Sequence, residues 1–134
     1  MSKPIIICVD DETIILTSLK NEINDTLQSM FYFEFAESAE ADLELINEIK
    51  DEVDIPIIIS DYQMAGMLGD DWLIKTYKNH PNSRRIWLTG QVTKDGIINI
   101  INNANLFSYI AKPWEKENLM LTITEAFKSY YKDK

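Results

Sequence analysis

Apolar residues fall along this chain in two alternating patterns. Continuous runs short enough for strands occur at Ile5–Val9, Ile55–Ile59, Ile86–Leu88 and Leu106–Ala111. A fifth run, "FYFEFAE" from Phe31 to Glu37, partly alternates apolar with polar positions, which predicts a strand nearer a sheet edge. Between the runs the period lengthens to that of helices. Ile15, Leu19, Ile23 and Leu27 recur every four residues, and Leu43, Ile46 and Ile49 every three, each set laying one apolar stripe. Trp72, Leu73 and Tyr77 predict a third helix, Ile97, Ile101 and Ala104 a fourth, and Leu119, Ile123, Ala126 and Tyr130 a fifth.

Strands that read as unbroken apolar runs are buried on both faces, and regular strand-helix alternation with short connections implies right-handed crossovers and a parallel sheet. No Pro-, Gly- or Ser-rich linker, low-complexity run or internal repeat divides the sequence, so residues 1–134 read as a single domain. That length buries a core without disulfides or a structural metal. In open parallel sheets ligands gather at the carboxyl ends of the strands. There the first strand ends in "VDDE", presenting Asp10 and Asp11, and the third in "SDYQ", presenting Asp61. The fourth ends in "LTGQ", presenting Thr89, and the fifth in "YIAKPW", presenting Lys112 before Pro113.

Composition removes several other chemistries. A hydrophobic fraction of 46% and a charged fraction of 26% are ordinary for a globular protein, and no apolar run approaches the ~20 residues that cross a bilayer. The start, "MSKPIIICVDD", is interrupted by acids where a signal peptide needs a small-residue cleavage site, so the cytoplasm is the expected compartment and no membrane contact is expected. Cys8 is the single cysteine and sits among apolar neighbours, which suggests a buried thiol. The single histidine, His80, lies in the loop-like "NHPNS", so a Cys/His zinc cage cannot be assembled. A net charge of -9 with scattered Lys and Arg argues against direct nucleic-acid binding.

Three carboxylates without histidine suit a hard cation, and Mg²⁺ takes oxygen ligands at roughly 2.0–2.1 Å while keeping several waters. Taken singly, each residue has a plainer reading: an Asp at a strand end forms a turn or caps a helix, a Thr beside Gly is a loop hydroxyl, and a Lys is a solvated charge. The order of all five on successive strand ends favours a site.

At these residues the chain resembles the receiver domain of two-component response regulators over essentially its whole length. The motifs are "DD" at Asp10 and Asp11, "DYQMAGMLG" after the third strand, "TG" at Thr89, and "KP" at Lys112 with Tyr109 three residues earlier. The resemblance implies a flavodoxin-like (βα)5 fold, a doubly wound five-stranded parallel sheet of order 2-1-3-4-5. It implies that Asp61 accepts a phosphoryl group from the phosphohistidine of a sensor histidine kinase or phosphotransfer protein, so that the chain is a signalling domain acting only on itself. By the same resemblance Asp11, Asp61 and the Gln63 carbonyl ligate Mg²⁺, Asp10 helps through water, Lys112 pairs with phosphoryl oxygens, and Thr89 and Tyr109 switch. A cis Lys112–Pro113 bond and an output surface on the fourth helix, fifth strand and fifth helix belong to the same expectation, read by an output domain or a homodimer partner. The broad apolar arc of Ile97, Ile98, Ile100 and Ile101 agrees with that surface, or is simply core. The chain departs from the pattern at Ala65 and Leu68, where the family often has Pro and Asp, and carries Gln63 and Gln91 along the route of the hydrolytic water.

Three rival functions use related parts. A flavin or nucleotide binder needs a phosphate-cradling glycine loop, whereas the first loop here reads "DDETI". A Mg²⁺-dependent phosphatase of the haloacid dehalogenase type carries an acid two residues past its nucleophile, where this chain has Gln63. A receiver-like module that only binds proteins would not need the five site residues.

Overall fold

The computed structural model describes residues 4–27, 30–38, 54–61, 63–64, 67–68, 78, 80–90 and 106–133. In chain order the elements are β1 (Ile5–Val9), α1 (Thr13–Leu27), β2 (Tyr32–Ala36), β3 (Ile57–Asp61), β4 (Gln63–Met64), β5 (Met67–Leu68), β6 (Arg84–Thr89), β7 (Leu106–Ala111) and a last helix, Lys116–Lys132. β4 and β5 form a small antiparallel pair, and the other five strands make one sheet in the order β2-β1-β3-β6-β7. Every pairing in that sheet is parallel. Counting only its own members, the order is 2-1-3-4-5, the flavodoxin-like arrangement.

Isoleucines dominate β1 and β3 because a branched Cβ is at ease on a pleated surface and packs both ways across the sheet. Ile6, Cys8, Ile57, Ile59, Ile86 and Leu88 point to one face and join Leu16, Leu19 and Ile23 of α1 with Leu119, Ile123 and Ala126 of the last helix in a single cluster. Ile7, Val9, Ile58, Ser60, Arg85 and Trp87, the alternate residues, are just as buried. Burial on both faces explains why these strands read as unbroken apolar runs. The edge strand β2 differs in the predicted way: Tyr32 and Glu34 are exposed while Phe33 and Phe35 lean inward, their rings stacked 6.3 Å apart. Of the stripe expected on α1, Leu19 and Ile23 are buried with Leu16 beside them, Ile15 packs partly buried against the core, and the side chain of Leu27 lies outside the described residues; the last helix buries Leu119, Ile123, Ala126 and Tyr130 as expected. The helices expected around Leu43, Trp72 and Ile97 lie outside the described residues.

Three strands differ in extent from the runs that predict them; β2, Tyr32–Ala36, is one residue shorter at each end than Phe31–Glu37. The third strand runs Ile57–Asp61 and not Ile55–Ile59. Pro56 has no N–H to give a ladder; its carbonyl instead accepts the Arg84 N–H at 2.8 Å. At the other end Asp61 is still in register with Leu88, so it is the last residue of the strand and not the first of a loop. The fourth strand begins at Arg84, two residues ahead of the apolar run. Its Arg85 side chain is fully buried, with the guanidinium donating to the carbonyl oxygens of Ser83, at 2.7 Å, and His80. A charge satisfied in this way sits in a strand interior that hydrophobicity alone would not assign.

The last helix is fastened at its far end. Arg84 Nε donates to Ser129 Oγ at 3.0 Å, and Arg84 Nη2 to the Ser129 carbonyl at 3.1 Å and to Asp133 at 2.6 Å. The Tyr131 hydroxyl donates to Asp54 at 3.1 Å, and burial together with that carboxylate pushes the phenol up to about 12. At the near end the peptide between Lys112 and Pro113 is cis, as expected.

Ile123 lies at the centre of the helix-sheet contact and is fully buried. Ile123→Ala is therefore expected to lower the unfolding free energy by about 2–5 kcal/mol in urea denaturation. A loss under about 1 kcal/mol would contradict this docking of the last helix.

Candidate functional site

The carboxyl ends of β1, β3 and β7 supply the site. Asp10 directly follows β1 and its side chain is fully buried. One carboxylate oxygen, Oδ1, accepts the Glu12 N–H at 2.8 Å, a bond two residues along that turns the chain toward α1. The other, Oδ2, accepts from Lys112 Nζ at 2.9 Å, so the plain turn-forming role and the site role of Asp10 coexist. Asp61 Oδ1 accepts from the same ammonium at 2.9 Å. Lys112 follows β7, two strand spacings from β3, roughly 10 Å away; only a long side chain passing over the end of β6 closes that gap.

Asp11 is exposed, but a carboxylate oxygen from each of Asp10, Asp11 and Asp61 lies within 4.8 Å of the others. Two of these acids, Asp10 and Asp61, share the Lys112 ammonium, and Glu12 contributes a further carboxylate 3.8 Å from Lys112 Nζ. Burial raises the Asp61 pKa above its usual value, and the charges of Asp10 and Asp11 push the same way against the Lys112 hydrogen bond. Burial also raises Asp10, opposed by the Glu12 N–H and Lys112. For Lys112 burial favours the neutral amine, but hydrogen bonds to Asp61 and Asp10 outweigh it and hold the ammonium. The surplus of clustered negative charge, offered entirely by hard oxygen donors, fits Mg²⁺.

The remaining predicted residues are placed as follows. Thr89 closes β6 in register with Ala111, one residue before Lys112. Gln63 opens β4, two residues past Asp61, its backbone paired with Leu68. Tyr109 on β7 is 53% exposed and borders a cavity of about 340 Å³ together with Trp114 and Asn118. Gln91, Ala65 and the isoleucines of the expected fourth helix lie outside the described residues. Two participants escaped the sequence: Glu12, visible only as the third acid of "DDE", and the bond from Trp114 Nε1 to Glu22 Oε2 at 2.5 Å.

The family model of the response regulator receiver domain matches residues 6–124. The chain belongs to that family. The receiver domain is 26% identical over 121 residues to the hydrogenase transcriptional regulatory protein HoxA of Cupriavidus necator, a match covering 90% of this chain and 23% of that protein. It spans about a quarter of the length of the curated relatives it matches. Among solved structures it resembles a CheY-like response regulator receiver domain protein from Methanospirillum hungatei JF-1, with a TM-score of 0.86 and 26% identity over 99% of this chain and 100% of that one. It also resembles the beryllofluoride-activated NtrC4 receiver domain dimer, with a TM-score of 0.80 and 25% identity over 94% of this chain and 98% of that one. The receiver domain is thus a two-component signalling domain and not a conventional enzyme, and the haloacid dehalogenase reading is not favoured. No described helix is long and apolar enough to cross a membrane.

The electrostatics carry a sign. A carboxyl whose pKa is raised by folding binds its proton more tightly in the folded chain, so its ionisation weakens the fold above that pKa and costs nothing below 3.8, where both states are protonated. In EDTA at neutral pH, Asp61→Asn is therefore expected to melt higher than the unchanged protein, by roughly 4 °C for each kcal/mol recovered. The difference shrinks as the pH falls through the raised value and vanishes below 3.8. Equal melting temperatures at neutral pH would show that Asp61 carries no such penalty.

Proposed function

We propose that this receiver domain, acting as a single unit in the cytoplasm, accepts a phosphoryl group on Asp61 from the phosphohistidine of a sensor histidine kinase or a phosphotransfer protein. The observation that carries the reading is one ammonium, Lys112 Nζ, held 2.9 Å from both Asp10 and Asp61 beside a third acid. Phosphoryl transfer is mostly positioning and neutralisation of charge on the equatorial oxygens. A carboxylate fixed at the end of a central strand and an ammonium beside it supply most of that from the protein itself.

In the step, an Asp61 carboxylate oxygen bonds to phosphorus as the phosphorus-nitrogen bond of the donor imidazole breaks. Asp11, Asp61 and the Gln63 carbonyl would hold Mg²⁺, with Asp10 reaching it through water, and the ion when bound neutralises phosphoryl charge. Lys112 keeps its ammonium and transfers a hydrogen bond from the Asp61 carboxylate to a phosphoryl oxygen. Thr89, at the end of the neighbouring strand, donates its hydroxyl to another. Gln63 and Gln91 offer no side-chain base, so loss of the phosphoryl group proceeds through positioned water.

The readout belongs on the face of β7 and the last helix, together with the helix expected around Ile97, where exposed Tyr109 turns inward as Thr89 moves toward the phosphoryl group. An output domain or a second copy is the reader. The length of HoxA beyond the matched segment and the activated dimer of NtrC4 support those two arrangements respectively.

Incubation with Mg²⁺ and a small phosphodonor is expected to add one phosphoryl group, mapped to Asp61 by mass spectrometry. Label persisting in Asp61→Asn would sink the assignment. With beryllofluoride as the phosphoryl mimic, NMR shifts are expected around Tyr109 and the start of the last helix. Shifts confined to α1 would overturn the choice of output face.

A further inference from the structure

Lys112 must stay within hydrogen-bonding distance of two carboxylates on strands other than its own, yet it sits in the short connection between β7 and the last helix. The N-cap residue of that helix, Glu115, makes no side-chain capping bond that would fix the connection. What does hold it is Trp114. Its indole packs against the core cluster, and its Nε1–H donates to Glu22 Oε2 at 2.5 Å. Glu22 lies on α1, the helix that begins just after Asp10, Asp11 and Glu12.

The connection is therefore tied twice to the same β1-α1 unit, at Lys112 through Asp10 and at Trp114 through Glu22. Only Pro113 separates the two tied residues, so their Cα atoms are at most about 7 Å apart and a shift of one moves the other. An indole has just two side-chain torsions, and a hydrogen bond to a carboxylate is among the stronger ones available, so the tie is stiff.

We infer that Glu22 is a positioning residue for Lys112: by holding Trp114 it fixes the connection that carries the ammonium to Asp61. The inference rests on the proposed role of the site, and its first test is independent of that role. The bland alternative is that the bond only docks α1 against the last helix.

Glu22→Ala, Glu22→Gln and Trp114→Phe, made in the full chain, separate the two. Lysines are labelled briefly with a trace of acetic anhydride, and each is quantified by mass spectrometry. Lys112, 15% exposed in its side chain, is expected to label several-fold faster in Glu22→Ala and Trp114→Phe. Lys116 and Lys128 on the last helix should not change, and Glu22→Gln, which keeps an acceptor oxygen, should restore most of the protection. In parallel, the rate of Asp61 phosphorylation by a small phosphodonor is expected to fall about tenfold in Glu22→Ala, the scale of a sub-ångström misplacement. The double variant should lose no more than either single one, since both cut the same tie.

Unchanged Lys112 labelling overturns the inference, as does faster labelling of every lysine on the last helix, which would mark general loosening. If the unchanged protein takes no phosphoryl group while Lys112 labelling responds as expected, the tie stands and the reading of the site fails. Labelling unchanged in a protein that is phosphorylated normally removes the tie alone.

Discussion

One ammonium between two buried carboxylates is the contact on which this site depends. Lys112 Nζ lies 2.9 Å from Asp10 and from Asp61, and both acids are close to fully buried. Ionised carboxylates withdrawn from water are costly unless paired, and pairing here reaches across the sheet, because Lys112 follows an edge strand while its partners lie at the carboxyl ends of the interior strands β1 and β3. The order of the strands, the depth of the acids and the length of the lysine are thus one arrangement seen from three sides. The pairing is incomplete, with more acids than cations, and that shortfall is what makes the pocket receptive to a divalent ion.

The sheet makes this tolerable by being rigid where it matters. Residues of β1 and β3 are buried on both faces, so the strand ends carrying Asp10 and Asp61 have little freedom to relax away from each other. A carboxylate on a loop would swing toward water and shed its strain; Asp61, in register with Leu88, has no such option. The positions of these carboxylates are therefore maintained by packing some distance from their oxygens.

Much of this was legible in the residues. Strand cores and helix stripes follow from burial, which leaves a periodic trace, and Leu119, Ile123, Ala126 and Tyr130 proved buried as spaced. The acids and the lysine were legible because strand ends in a parallel sheet converge. Three things left no trace. Pro56 displaced a strand boundary through a missing N–H, buried Arg85 hid inside a strand because its cost is met by backbone carbonyls, and Trp114 meets Glu22 only after the chain has folded. Strand order itself came from resemblance, since periodicity constrains which segments are strands and not which lie side by side.

The polar clasp at the far end of the last helix has a mechanical consequence. Arg84 grips Ser129 and Asp133 there, while the near end adjoins the connection that bears Lys112. A rod of 17 residues is about 25 Å long, so with one end pinned a displacement of about 1 Å at the other becomes a tilt of roughly 2° instead of a slide. Pivoting in this way keeps the far-end ring contacts of Phe127 with Phe31 and Tyr131 nearly unchanged and concentrates the motion where the helix begins. In the receiver domain the clasp thus places a fulcrum opposite the end that adjoins Lys112.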